Sequence, residues 1–193
     1  RKNLLKAKEI LEKEGWFVDD GKLIKDGKEF KFEFLIVSPS DEKIALAYQS
    51  NLKKLGITMD VRTVDSSQYQ ERLLSYDFDM IKRYWGVSLS PGNEQQFYWG
   101  SEVGQKDGSR NYPGINSPAV DAMIEKLINA ENREELTTAI HALDRILLWG
   151  HYVIPLYHSN KDRMAYWDFF EYPDEIPLYG IVIESWWINK DKQ

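Results

Sequence analysis

Residues 30–64, FKFEFLIVSPSDEKIALAYQSNLKKLGITMDVRTV, decide the fold. Phe30, Phe32, Phe34 and Ile36 fall on alternate positions and so share one face of a strand from Phe30 to Val37. Leu35 and Val37 make its far end apolar on both faces, as an inner strand requires. Ser40 is placed to cap a helix with Asp41 and Glu42 in its first turn, where carboxylates meet the positive end of the helix dipole. Ile44, Tyr48, Leu52 and Leu55 recur at helical spacing, and Gly56 ends the helix. Ile57 to Val64 then reads as a second strand. A strand, a crossover helix and a strand in such a run form a right-handed βαβ unit with parallel strands.

Downstream, Ser66 to Ser75 predicts another helix and Phe78 to Tyr84 a third strand. The β-α-β-α-β order implies an α/β fold with a mixed, mostly parallel sheet flanked by helices. Upstream, Asn3 to Glu14 is an amphipathic helix with Leu4, Ala7 and Leu11 on one face and Gly15 at its end. Trp16 to Asp19 and Lys22 to Lys25 read as short strands around Asp20-Gly21, with a second turn at Asp26-Gly27. From Gly86 to Ser117 the periodicity stops. That stretch is rich in Gly, Ser, Asn and Pro yet holds Phe97, Tyr98 and Trp99, which points to a functional loop rather than disorder. Ser117-Pro118 opens a helix with Val120, Met123, Ile124, Leu127 and Ile128 on its apolar face, and Arg133 to Trp149 forms the next. Tyr152 to Tyr157 is expected as a short or edge strand, because Pro155 interrupts it. Lys161 to Gln193 is aromatic and turn-rich, with no clear helix.

Composition narrows the function. The 193 residues carry 25 basic and 31 acidic side chains, a net charge of −6, with no basic stripe. That disfavours nucleic acid and anionic membranes as partners. No apolar run approaches the roughly 20 residues of a membrane-spanning helix. The absence of cysteine excludes disulfides, thiolate nucleophiles and thiolate metal sites. The chain begins at Arg1 with a helix and no leader segment, and is read as a fragment of a longer protein.

Few residues suggest chemistry. There is no GxGxxG, no GxxxxGK[ST] and no GxSxG. His141, His151 and His158 lack metal-site spacing, so no metal and no cofactor is expected. Asp65 and Glu94 could face a crevice as the carboxylate pair of a hydrolase. Trp85, Trp99, Trp186 and Trp187 are ligand platforms or core residues. Trp85 is favoured as a platform because it follows a strand at the carboxyl edge of the sheet, where ligands of α/β proteins bind. Lys82 and Arg83 at the same strand end offer cationic donors to a carboxylate. Asn93, Glu94 and Gln95 either orient a polar ligand or brace the loop.

One family shares these features in this order. Asn51-Leu52-Lys53-Lys54-Leu55-Gly56-Ile57, then Val64-Asp65 and Gln68-Tyr69, then Phe78-Asp79-Met80 and Trp85-Gly86, resemble the C-terminal lobe of family-5 extracellular solute-binding proteins. Ser117-Pro118-Ala119-Val120-Asp121 and Val153-Ile154-Pro155-Leu156-Tyr157 continue the likeness over nearly the whole chain. Ser88-Leu89-Ser90-Pro91-Gly92-Asn93-Glu94-Gln95, Ala165-Tyr166-Trp167-Asp168 and Glu184-Ser185-Trp186-Trp187 are similar to the Yej-type oligopeptide receptor branch.

The resemblance implies a lobe of a type II periplasmic binding protein, in which two lobes close on a buried ligand. It implies a periplasmic, monomeric receptor for peptides or peptide-like compounds, some relatives taking cell-wall peptide fragments. Its partners would be an N-terminal lobe and the membrane permease of an ABC importer, and it would catalyse nothing. A carboxylate-dependent hydrolase, or a scaffold without a small ligand, is the alternative. All of residues 1–193 would form the C-terminal lobe, with the tail from about 170 packing on the other lobe. The implied ligand-binding residues are Lys82, Arg83, Trp85, Gly86, Val87, Ser88, Asn93, Glu94 and Gln95. Ser88 falls near the position of an Asp that holds the peptide amino group in well-known oligopeptide receptors, and Glu94 is the candidate replacement.

Overall fold

The computed structural model describes residues 2–86, 88, 90–159, 161, 163–178 and 180–192, with the backbone alone at Gln105. The chain divides into two compact units, Arg1–Val153 and Ile154–Gln193.

The first unit begins with helix α1 (Lys2–Lys13) and a three-stranded antiparallel meander of β1 (Phe17–Asp19), β2 (Lys22–Lys25) and β3 (Lys28–Glu29). Both Asp-Gly turns adopt positive φ at both residues, Asp20 44° and Gly21 77°, Asp26 51° and Gly27 73°. This is the geometry that two-residue hairpin turns need to match strand twist.

The parallel sheet follows: β4 (Lys31–Ile36), α2 (Pro39–Lys53), β5 (Thr58–Thr63), α3 (Ser66–Leu74) and β6 (Met80–Ile81). Its strand order is β5-β4-β6, with both neighbours parallel to β4. The alternation read from the sequence separates two cores. Phe34 and Ile36 pack with Ala45 and Leu52 of α2 on one face, while Leu35 packs with Tyr69 and Leu73 of α3 on the other. Leu35 is fully buried, and burying such a side chain contributes about 1.5–3 kcal/mol.

Several boundaries differ from expectation, and three have a physical cause in the hydrogen bonding. The central strand starts at Lys31, because the Phe30 N–H pairs back to the Leu23 carbonyl at 2.8 Å and so belongs to the meander edge. The cap of α2 is Ser38, not Ser40. Pro39 takes the first helical position, where its missing N–H costs nothing, and the Ser38 hydroxyl accepts from the Ser40 N–H at 3.3 Å. The third strand is two residues long rather than Phe78 to Tyr84. Side-chain bonds replace the ladder at both ends: the Asp79 carboxylate accepts the Glu33 N–H at 2.8 Å, and the Tyr69 hydroxyl donates to the Lys82 carbonyl at 3.3 Å.

The stretch after Gly86 contains a helix, α4 (Glu94–Trp99), and a 3-10 turn (Val103–Gln105). Helices α5 (Pro118–Ile128) and α6 (Arg133–Trp149) form a hairpin around Val120, Ile124, Leu127, Ala139 and Leu143, with Ile115 and Trp99 against it. No strand forms over residues 152–157. Pro155 has no N–H to donate, and Tyr152, Val153, Ile154, Leu156 and Tyr157 are exposed.

The second unit holds a two-stranded antiparallel ribbon, β7 (Phe170–Glu171) with β8 (Trp187–Ile188). Trp186 packs edge-on to Tyr166 at 4.9 Å and lies 5.1 Å from Tyr172. Trp187 is exposed, and its indole N–H donates to Glu171 at 3.2 Å.

Candidate ligand site

The order β5-β4-β6 creates a topological switch. The chain leaves β4 toward β5 on one side and returns to pair β6 on the other, and in α/β folds the carboxyl edge at such a switch point is where ligands bind. The residues converging there are Asp41 from α2, Tyr69 from α3, Lys82, Arg83, Trp85 and Gly86 after β6, and Tyr112 from the long loop.

The two adjacent cations differ. The Lys82 ammonium is bound by the Asp41 carboxylate. Their side chains are only 32% and 13% exposed, so this pair is partly withdrawn from solvent. The Arg83 guanidinium lies over the Tyr112 ring at 5.1 Å and donates to its hydroxyl at 3.2 Å. It has no carboxylate partner among the described residues. Burial pushes the Tyr69 phenol above its ordinary value, with Arg83 opposing the shift.

Trp85 is half-buried and held from two sides. Its indole N–H points to the Arg110 carbonyl at 3.5 Å, and its ring centroid is 4.8 Å from that of Trp99. The Trp99 N–H donates to Gln95 Oε1 at 3.0 Å. Both indole N–H groups therefore have internal partners, and Trp85 presents ring surface. The Gly86 carbonyl accepts from the Tyr98 hydroxyl at 3.1 Å. Behind Arg110, the buried Asn111 amide donates to the Gly100 and Ile115 carbonyls at 3.0 and 2.9 Å, and its oxygen accepts the Ile115 N–H at 2.9 Å.

The remaining expected residues are distributed as follows. The Ser88 hydroxyl donates to the Ser90 carbonyl at 2.7 Å. Both Glu94 oxygens face the Gly92 N–H, at 3.0 and 3.1 Å. Burial pushes the Glu94 carboxyl up, but the Glu94 and Gly92 N–H groups and the Gln95 amide outweigh it and hold it below the ordinary range. Glu94 and Gln95 thus bond within their own loop. Asn93 stands at the α4 N-terminus, exposed and without a side-chain capping bond. Val87 lies outside the described residues. Asp65 is the cap of α3, and its carboxylate accepts the Gln68 N–H at 2.9 Å.

Asp41, Tyr69, Arg110, Asn111 and Tyr112 escaped the sequence reading. Helix polarity alone accounts for Asp41 in the sequence, Tyr69 enters only within the Gln68-Tyr69 pair of the resemblance, and the other three carry no motif. A separate open cavity of about 420 Å³ lies between α4 and α5, lined in part by Glu102, Asp121 and Glu125. Among the described residues, no group of three or more metal-ligating side chains occurs. No helix among them is long and apolar enough to cross a membrane.

Comparison with known proteins follows the same lines. The family model described as bacterial extracellular solute-binding proteins, family 5 Middle, matches residues 1–107. A probable peptide-binding protein, YejA, of Agrobacterium fabrum is 41% identical over 193 residues, 98% of this chain and 31% of its own length. The peptidoglycan-binding protein YepA of the same organism is 41% identical over 188 residues, 97% of this chain and 31% of its own. Among solved structures, the oligopeptide-binding protein AppA of Bacillus subtilis, in complex with a nonapeptide, superimposes with a TM-score of 0.66 at 28% identity, over 74% of this chain and 29% of that one. The chain therefore spans under a third of the length of these relatives. The expected architecture, a type II periplasmic-binding-protein lobe with a parallel sheet flanked by helices, agrees with this likeness.

Proposed function

This chain belongs to the family-5 bacterial extracellular solute-binding proteins, and we propose that it supplies the C-terminal lobe of a periplasmic receptor that captures peptides or peptide-like compounds for an ABC importer. The crevice at the switch point carries the reading. It combines a braced aromatic face, adjacent backbone and a cation without a carboxylate partner among the described residues, all at the sheet edge where α/β folds bind ligands.

In this account Trp85 covers the ligand, and Arg83 meets negative charge on it. Backbone groups from Gly86 through Val87 to Ser88 pair with an extended ligand main chain. Asn93 is a polar contact at the rim, whereas Glu94 and Gln95 act through the loop they brace. The occupied Glu94 carboxylate weighs against its replacing the amine-holding Asp that Ser88 displaces. It weighs equally against a hydrolase, since a catalytic carboxylate needs a free face toward substrate, and the lobe is read as binding without turnover. The exposed Trp187, Leu178 and Ile183 support a tail that packs on the N-terminal lobe. Other partners are the membrane permease and the ligand itself, and the receptor works as a monomer. Closure follows from a ligand that bridges both lobes and so favours the closed state.

The test is calorimetric titration of peptides into the full-length receptor and into the 193-residue chain. The receptor should bind and lose affinity on Trp85→Ala, and the chain alone should bind weakly because half a cleft buries less ligand. Submicromolar binding by the chain alone would overturn the two-lobe account.

A further inference from the structure

We propose that Asp41 is a specificity-determining residue: by pairing with Lys82 it cancels the charge at the end of β6, so that the crevice does not recruit a ligand carboxylate there. The proposal rests on the peptide-receptor reading above.

Lys82 follows β6 directly, at the carboxyl edge, where a cation would otherwise attract the C-terminus of a peptide. Its backbone is anchored by the Tyr69 hydroxyl on its carbonyl, so the side chain leaves the sheet from a fixed point. Asp41 sits in the first turn of α2, where the positive end of the helix also favours a carboxylate. With the Asp41 side chain 13% exposed, breaking the pair would leave a poorly solvated charge without its partner. A ligand carboxylate reaching Lys82 must therefore compete with Asp41 and also meets its negative charge at nearly the same range. Opposite charges at similar distance nearly cancel, so the approach gains little.

Arg83 provides the contrast one residue later. It points to Tyr112 and keeps guanidinium donors that no carboxylate occupies among the described residues. The pattern of charge on this edge is thus one masked cation beside one open cation. The ligand class it fits carries no carboxylate at the Lys82 position, having its C-terminus elsewhere or blocked.

The experiment compares tetra-alanine as the free acid and as the C-terminal amide, titrated by calorimetry into the full-length receptor. Asp41→Asn should raise the preference for acid over amide about tenfold, equivalent to about 1.4 kcal/mol. Adding Lys82→Met to that variant should remove the gain. Asp41→Ser, a residue suited to helix starts, carries the same expectation if the Asn variant does not fold. A purely structural role for Asp41 would weaken both peptides alike and leave their ratio unmoved, which would overturn the proposal. So would a gain that survives in the double variant. Failure of the unsubstituted receptor to bind either peptide would instead refute the peptide reading on which the proposal rests.

Discussion

Replacing Asn111 by Ala should loosen the scaffold that holds Trp85. Asn111 is 0% exposed and is the hub of the loop between α4 and α5. Its side chain makes three hydrogen bonds of 2.9–3.0 Å to Gly100 and Ile115. Each such bond contributes about 1 kcal/mol net, and an orphaned buried partner costs about 1–3 kcal/mol, so the expected loss is about 3–5 kcal/mol. At about 2–4 °C per kcal/mol for a chain of this size, the melting temperature should fall by about 6–20 °C. Asn111→Asp should do no better. It keeps the acceptor for the Ile115 N–H but turns a carboxylate toward two carbonyls. The neighbouring Gly104 sharpens the constraint, since a Cβ there would lie 2.5 Å from the Asn111 amide nitrogen. The assay is thermal unfolding followed by tryptophan fluorescence, with iodide quenching at low temperature. Trp85 should become more accessible, because its indole partner is the carbonyl of Arg110, one residue away. A loss under about 1 kcal/mol with unchanged quenching would refute the assignment of Asn111 as the hub.

Two glycines at similar φ separate backbone strain from steric clash. Gly56→Ala should unfold at clearly lower denaturant than Gly27→Ala, because a Cβ at Gly56 would lie 2.8 Å from the Leu23 nitrogen while one at Gly27 meets nothing within 4 Å; equal midpoints would contradict this. Glu94 has a folded pKa below its ordinary value, so its contribution is fully present above about pH 4.3 and is lost as pH falls through the lower folded value. Glu94→Gln should therefore flatten part of the acid limb of stability against pH, and an unchanged limb would count against the brace.

Much of the fold was legible because its signals are local. Alternation from Phe30 to Ile36 separated the two sheet faces, and Asp-Gly pairs located both hairpin turns. Helix α6, long and periodic, was read with its observed limits. Short elements were not legible. Helix α4 spans Glu94–Trp99, too few residues for a periodic pattern, and β6 is cut short by bonds from Asp79 and Tyr69 that no window on residues 78–84 contains. Ser38 and Ser40 flank Pro39, and the acids after Ser40 outweighed the proline rule that selects Ser38. At the site, Lys82 and Arg83 stood out as neighbours at a strand end. Their difference did not, because Asp41 reaches Lys82 only across the sheet edge, and Tyr112 reaches Arg83 only by folding back of the long loop. The internal partners of Glu94 and Gln95, the Gly92 N–H and the Trp99 indole, are likewise brought to them only by the folded loop.

Native mass spectrometry of the full-length receptor purified from its own compartment should catch the ligand in place, because a closed two-lobed receptor retains what it binds. Adducts with peptide or peptide-like masses are expected, sharply reduced in Trp85→Ala. Ligand-free protein in both forms, with no thermal shift across peptide and muropeptide panels, would contradict that expectation.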